Sequence, residues 1–159
     1  MRKPDREITD PGELWYVLEK AMVCRIGMVD DGGPYVVPMS FGLGENCIYL
    51  HSSAKGRKAE ALRKNPLVCF EMEADVAVVE AEKPCDWTMR FRSVIGTGTA
   101  VFLEDRREKL AGLTAIMAHY SDDYGKDEPA VFREKVVDMA AVIRIDIQSM
   151  TGKKHGWNS

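Results

Sequence analysis

Three cations crowd one short stretch of the chain, His51-Ser-Ser-Ala-Lys-Gly-Arg-Lys58, where Lys55, Arg57 and Lys58 surround Gly56. The residues in front, Cys47-Ile-Tyr-Leu-His51, alternate as a half-buried strand does. Those behind, Ala59, Ala61 and Leu62, form a short apolar helical stripe that Asn65-Pro66 ends. A strand end, a tight turn and a basic helix thus follow one another. Ser52 or Ser53 is the expected N-cap, because a hydroxyl can accept from an orphan first-turn amide. Free N–H groups, the positive end of the helix dipole and a glycine that admits close approach suit a phosphate dianion. The competing reading is a solvated amphipathic helix whose charges face water.

Acid–base chemistry has few candidates. His51, His119 and His155 are the histidines of the chain, each a structural or surface residue by default. His51 stands out because it runs directly into the phosphate-like turn. No Gly-x-Ser-x-Gly, Walker loop or paired metal ligands occur, so no metal is expected. Cys24, Cys47, Cys69 and Cys85 lie far apart with no Cys-x-x-Cys pair, as reduced thiols do. A chain short of its own acid–base groups but equipped to hold phosphate takes its reactivity from a cofactor.

Other elements must position this stretch. Thr9 or Asp10 caps a helix starting at Pro11, with Leu14, Val17, Leu18 and Ala21 on its inner face. Residues 22–29 read as a buried strand, Asp30-Asp-Gly-Gly-Pro34 as a hairpin turn and residues 35–41 as the returning strand. Pro38 cannot donate to a ladder, so it marks an edge, a bulge or backbone left open for a flat ligand. Residues 42–46 form a turn and 67–73 a strand, while 76–81 could extend the sheet and 83–86 look like loop. A long strand over 87–104 is interrupted by Gly96-Thr-Gly98 and carries Arg90, Arg92 and Ser93 at its start. A helix spans 105–120 with Leu110, Leu113, Thr114, Met117 and Ala118 inward. A polar loop (121–129), a short helix (130–137) and a closing strand (139–147) follow. Trp157, in the tail 149–159, should dock on its own chain or on a partner. Closely spaced strands with few helices between them predict a mainly β, antiparallel barrel with peripheral helices, not parallel βαβ units.

The chain has 159 residues, which suits one domain over 1–159, with an N-terminal helix region at 1–21. A net charge of −3 makes the basic stretch local and argues against a nucleic-acid partner. No apolar segment has the length of a membrane span, and Met1-Arg-Lys-Pro-Asp-Arg6 lacks an export h-region, so a cytoplasmic location is expected.

Three stretches in order carry a family resemblance: Asp30-Asp-Gly-Gly-Pro-Tyr-Val-Val-Pro-Met-Ser-Phe41, Ile48-Tyr-Leu-His-Ser-Ser-Ala-Lys-Gly-Arg-Lys58 and Asn65-Pro-Leu-Val-Cys-Phe70. Together they resemble the pyridoxamine-5′-phosphate-oxidase-like flavoproteins, and within these the 5-nitroimidazole resistance (Nim) group. Arg92-Ser-Val-Ile-Gly-Thr-Gly98 is similar to that group's long strand. The resemblance covers about residues 2–148 and is weak over 74–90. It implies an antiparallel FMN-binding split β-barrel, usually a homodimer with FMN in the clefts between subunits. Pro38, Met39 and Ser40 would line the ring system, and His51 and Ser52 would touch the ring or ribityl chain. Gly56, Arg57 and Lys58 would hold the phosphate. Arg92 or Ser93 would add a contact, with Trp157 approaching from the other subunit. The implied activity is an FMN-dependent oxidoreductase, drawing on a nicotinamide donor and reducing a nitroimidazole or another small substrate, with His51 on the substrate side. The alternatives are a non-catalytic flavin-binding or sensor protein, and a deazaflavin or haem in place of FMN.

Overall fold

The computed structural model describes residues 3–121 and 132–157. Eight strands form one antiparallel sheet: β1 (Glu7–Ile8), β2 (Cys24–Asp30), β3 (Gly33–Met39), β4 (Phe41–Gly44), β5 (Cys47–Ser53), β6 (Leu67–Val79), β7 (Thr88–Phe102) and β8 (Ala140–His155). The helices are α1 (Pro11–Lys20), α2 (Arg57–Lys64), α3 (Arg106–Tyr120) and α4 (Glu134–Met139). The main path of the sheet runs β3-β2-β6-β7-β8-β5-β4, with β1 added to β8. β3 and β4 therefore lie at opposite ends of the path, yet Ser40 alone links them in the chain. A sheet can satisfy both conditions only by curling until its ends meet without pairing. The result is a split antiparallel β-barrel with helices at its periphery.

The inward residues of the curled sheet make the core, with Phe41, Phe70, Ile26, Leu50, Met72 and Ile145 almost wholly buried. α1 closes one end. Its N-cap is Asp10, whose carboxylate accepts from the Glu13 amide at 2.8 Å, and Val17, Leu18 and Ala21 are its buried face. α2 buries Ala59, Ala61 and Leu62 and stops at Asn65, as its stripe predicts. The β2–β3 hairpin turns at Asp30 and Gly33.

Several expectations are corrected. Residues 42–46 are not all turn: Phe41–Gly44 pairs with β5, and only Glu45 and Asn46 turn. β2 is an alternating strand, not a fully buried one, because its outer face is left uncovered. α3 buries Gly112, Leu113 and Ile116, a face rotated from the predicted stripe. Small residues set that rotation, since Gly112 lets Tyr49 and Val142 come close, and a Cβ there would meet each at 2.9 Å. The β7–β8 ladder shifts register between Thr97 and Gly98, where β8 carries Gln148 as the extra residue of a β-bulge. β6 continues to Val79, so residues 76–79 do extend the sheet. The tail is not a tail throughout: β8 runs on to His155, paired with β7. The loop predicted over 121–129 lies outside the described residues apart from Ser121, as does the start of the helix predicted over 130–137.

One ion network ties α1 to the end of the barrel. Arg92 Nε donates to Glu13 at 3.0 Å, Arg92 Nη1 donates to Asp75, and Lys154 Nζ donates to Glu13 at 2.7 Å. The Lys154 bond, with help from Arg92 and against partial burial, holds the Glu13 carboxyl below its ordinary value of 4.5. A depressed carboxyl stabilises the fold above its unfolded pKa, and that stability is lost as pH falls through the lower folded value. Glu13→Gln should therefore cost about 1.5 kcal/mol near neutral pH. In denaturant melts the gap to wild type should close as pH drops below 4.5. A gap that stays constant with pH would remove the charge from this account.

Candidate split-barrel site

The split opens where β3 leaves β4. Phe41 lies opposite Leu50 and Gly42 opposite Tyr49 in the β4–β5 ladder. That register, run backwards past Phe41, would place Ser40 opposite His51, Met39 opposite Ser52 and Pro38 opposite Ser53. Instead β3 pairs with β2, with Pro38 opposite Arg25. His51, Ser52 and Ser53 keep β8 on one edge and have no ladder partner on the other among the described strands. β3 and β5, the continuations of the β4–β5 hairpin, thus splay apart and leave an unpaired gap between them, with Pro38 supplying no N–H to it. The Phe41 amide, at the fork itself, donates to the Tyr120 hydroxyl at 3.1 Å. That hydroxyl in turn donates to the Met22 carbonyl at 3.0 Å.

α2 starts beside this gap. Its N-cap is Gly56 with φ +105°, a conformation that L side chains rarely adopt. Ser52 and Ser53 do not cap it, contrary to the prediction, because both are still in β5. Ser52 donates to the Ser53 carbonyl at 2.8 Å, and Ser53 Oγ accepts from the Lys55 amide at 3.2 Å. No side chain caps the helix, so its first amides stay available.

The cations of the stretch differ in their engagement. Arg57 is held by Asp30 on the β2–β3 hairpin through Nε at 2.6 Å and Nη2 at 3.1 Å, and it lies 4.1 Å from the Tyr35 ring. Lys64 pairs with Asp31 on the same hairpin. Lys58 is half-buried and, among the described residues, donates only to the Met39 thioether, at 2.9 Å. No carboxylate among the described residues pairs with it, and desolvation pushes its ammonium below the usual lysine range. A desolvated cation without a counter-charge marks a place for an anion.

The structure therefore brings Pro38, Met39, Ser40, His51, Ser52, Gly56, Arg57 and Lys58 to one place. It does not bring Arg92, Ser93 and Trp157 there. β3 and β7 are separated by β2 and β6, which is roughly 14 Å of sheet. Arg92 is committed to Glu13 and Asp75, and its guanidinium lies 4.0 Å from the Trp157 ring. Arg90 covers the same indole at 4.5 Å, so Trp157 docks on its own chain. Among the described residues, neither its buried Nε1 nor the buried Nε of Arg90 has a hydrogen-bond partner. Sequence reading missed Asp30 as a site residue, having assigned it to turn formation alone. An acidic pair ahead of a basic helix was the available signal.

The profile described as pyridoxamine 5′-phosphate oxidase matches residues 10–154. A candidate 5-nitroimidazole antibiotic resistance protein from Bacteroides thetaiotaomicron superposes with a TM-score of 0.79 at 32% identity, over 92% of this chain and 85% of its own. A flavocytochrome from Azotobacter vinelandii shares the fold at 22% identity and TM-score 0.81, over 99% of this chain and 72% of its own. An FAD and heme binding protein from Mycobacterium smegmatis does so at 20% identity and TM-score 0.81, over 97% and 76% respectively. No curated protein matches the chain. With a profile match spanning nearly the whole sequence and a relative sharing almost a third of its residues, the chain belongs to the pyridoxamine 5′-phosphate oxidase family.

Proposed function

We propose that this protein is an FMN-dependent oxidoreductase that binds the flavin in the split between β3 and β5. The observation that carries the reading is Lys58, a desolvated cation without a carboxylate, beside an uncapped helix start and two splayed strand edges. Related structures described as a flavocytochrome and as an FAD and heme binding protein support a flavin, and the likeness to a nitroimidazole resistance protein supports a small reducible substrate.

FMN would supply two-electron transfer between a nicotinamide donor and a small acceptor such as a nitro compound. The residues of the chain supply the rest. Gly56, having no Cβ, admits phosphate oxygens to the first amides of α2, with Lys58 and Arg57 as the cations. Pro38, Met39 and Ser40 on one edge, and His51 and Ser52 on the other, would flank the ring. His51 is exposed at the mouth of the gap, where it can orient a substrate or hand it a proton.

The proposal includes a homodimer. The outer face of β2, β3, β6 and β7 exposes Val29, Val36, Leu67 and Ile95, each more than half accessible, and the first three line a groove of about 530 Å³. Apolar surface of this kind marks an interaction site. A second copy covering it would offer the Arg92, Ser93 and Trp157 group to its partner's split.

Absorbance spectroscopy on purified protein, before and after FMN addition and desalting, tests the cofactor. Retention of about one flavin per chain is expected. Anaerobic bleaching by NADH or NADPH, then reoxidation by a nitroimidazole faster than by buffer containing oxygen, is the expected enzymatic result. Bleaching without any accelerated reoxidation would leave a flavin store or sensor. Failure to retain FMN would end the FMN reading and direct the same assay to deazaflavin and haem.

A further inference from the structure

We infer that Asp30 is a positioning residue for the phosphate-binding turn, acting through Arg57; the inference rests on the FMN reading above. The Asp30 carboxylate is itself anchored, since Oδ1 accepts from the Gly32 amide at 2.8 Å across the hairpin turn. It takes the Nε and Nη2 side of Arg57 at 2.6 and 3.1 Å. A guanidinium has five N–H donors in a rigid fork, so among the described residues this leaves the Nη1 donors unused. The Arg57 side chain is 52% accessible, and its free edge is open to a ligand. Tyr35 lies 4.1 Å away and supports the plane of the guanidinium.

Three contacts thus fix the direction of a side chain that would otherwise sample many rotamers. The pair also joins two parts of the site. Asp30 ends β2 and leads into β3, which carries Pro38 and Met39, while Arg57 begins α2. Lys64 and Asp31 repeat the link about two helical turns further along. Asp31 is thereby occupied by Lys64, and no other acid in the described hairpin faces Arg57. The arrangement corresponds to the outer-shell carboxylates that orient ligand side chains in metal sites, where their loss costs 10- to 100-fold.

The test compares FMN with riboflavin, which lacks the phosphate, by quenching of flavin fluorescence on the full-length protein. Wild type is expected to prefer FMN. Asp30→Asn should weaken FMN by about 10-fold or more and leave riboflavin affinity unchanged. In an Arg57→Ala background the same Asp30→Asn change should have no further effect, which places its action on Arg57. Asp30→Glu should restore part of the preference. Equal loss of both flavins in Asp30→Asn would reduce the residue to a structural role and overturn the inference. Tighter FMN binding by Asp30→Asn would also overturn it, by making Asp30 a competitor of the phosphate. A persistent effect in the Arg57→Ala background would do the same. If wild type retains neither flavin, the FMN reading itself fails and takes this inference with it. If wild type binds FMN and the variant binds it equally well, the inference alone fails.

Discussion

Lys58→Ala is expected to lower FMN affinity by about 10- to 100-fold, the loss of one charge-assisted contact of roughly 1.5 to 3 kcal/mol. The same change should leave the flavin-free protein no less stable, and Lys58→Met should make it more so. The reason is that Lys58 is partly desolvated with only a thioether as partner among the described residues, so its charge costs the apo fold more than that weak acceptor returns. Binding and stability thus move in opposite directions, which a purely structural lysine would not do. The pH dependence follows the same logic. Because desolvation lowers the Lys58 pKa, FMN affinity should begin to fall at a pH below the ordinary lysine value of 10.5. Equilibrium titrations and thermal melts of the two variants measure both effects. If Lys58→Ala binds FMN as wild type does, the phosphate lies elsewhere and the site has been placed wrongly. Adding Arg57→Ala to Lys58→Ala should lower the affinity further, since two of the turn's cations are then gone.

Gly42→Ala is the second substitution with a large expected effect, and it acts on the fold. A Cβ at this position would lie 2.3 Å from the Ala115 carbonyl carbon, 2.4 Å from the Ile116 amide nitrogen and 2.5 Å from the Ala115 carbonyl oxygen. These are backbone atoms of α3, so no side-chain rotamer can relieve the clash. Either α3 or β4 must move. Moving α3 would break the contact of Tyr120 with the Phe41 amide at the fork of the split. The expected cost is about 3 kcal/mol or more, or a fall of roughly 6 to 12 °C in Tm for a chain of this size. Weaker flavin retention should accompany it, because the two effects share the fork. A Gly42→Ala protein with wild-type Tm would mean that α3 rides higher on β4 than the structure places it.

Much of the architecture could be read from local pattern. The Asp10 cap with Pro11, the Asp-Gly-Gly hairpin and the stripes of α1 and α2 are signals spread over a few residues, and each forms where predicted. The failures have a common physical origin. β4 looks like turn because Gly42 and Gly44 are turn residues, yet Gly42 is there to admit the distant backbone of α3 at Ala115 and Ile116. Ser52 and Ser53 looked like caps because a hydroxyl before a helix usually is one. The β5–β8 ladder instead carries both into the strand, and the chain turns at Gly56. The inner face of α3 escapes the apolar stripe because Gly112 has no side chain to mark it, yet it is where Tyr49 and Val142 come close.

For the candidate site, the residue types and spacing of His51 to Lys58 by themselves determine a basic helix start beside a strand end, and hence an anion as the natural ligand. The sequence also contains Pro38, a residue that cannot complete a ladder. Only the tertiary structure decides that these belong to one gap, that Lys58 is a half-buried cation with no carboxylate partner among the described residues, and that Arg57 is tied to Asp30. It also decides that Arg92 and Trp157 form a separate group within the chain. Local periodicity reports which face of a strand or helix is apolar. It carries no record of which distant carboxylate will reach which cation, because that depends on how far the sheet curls before its ends meet.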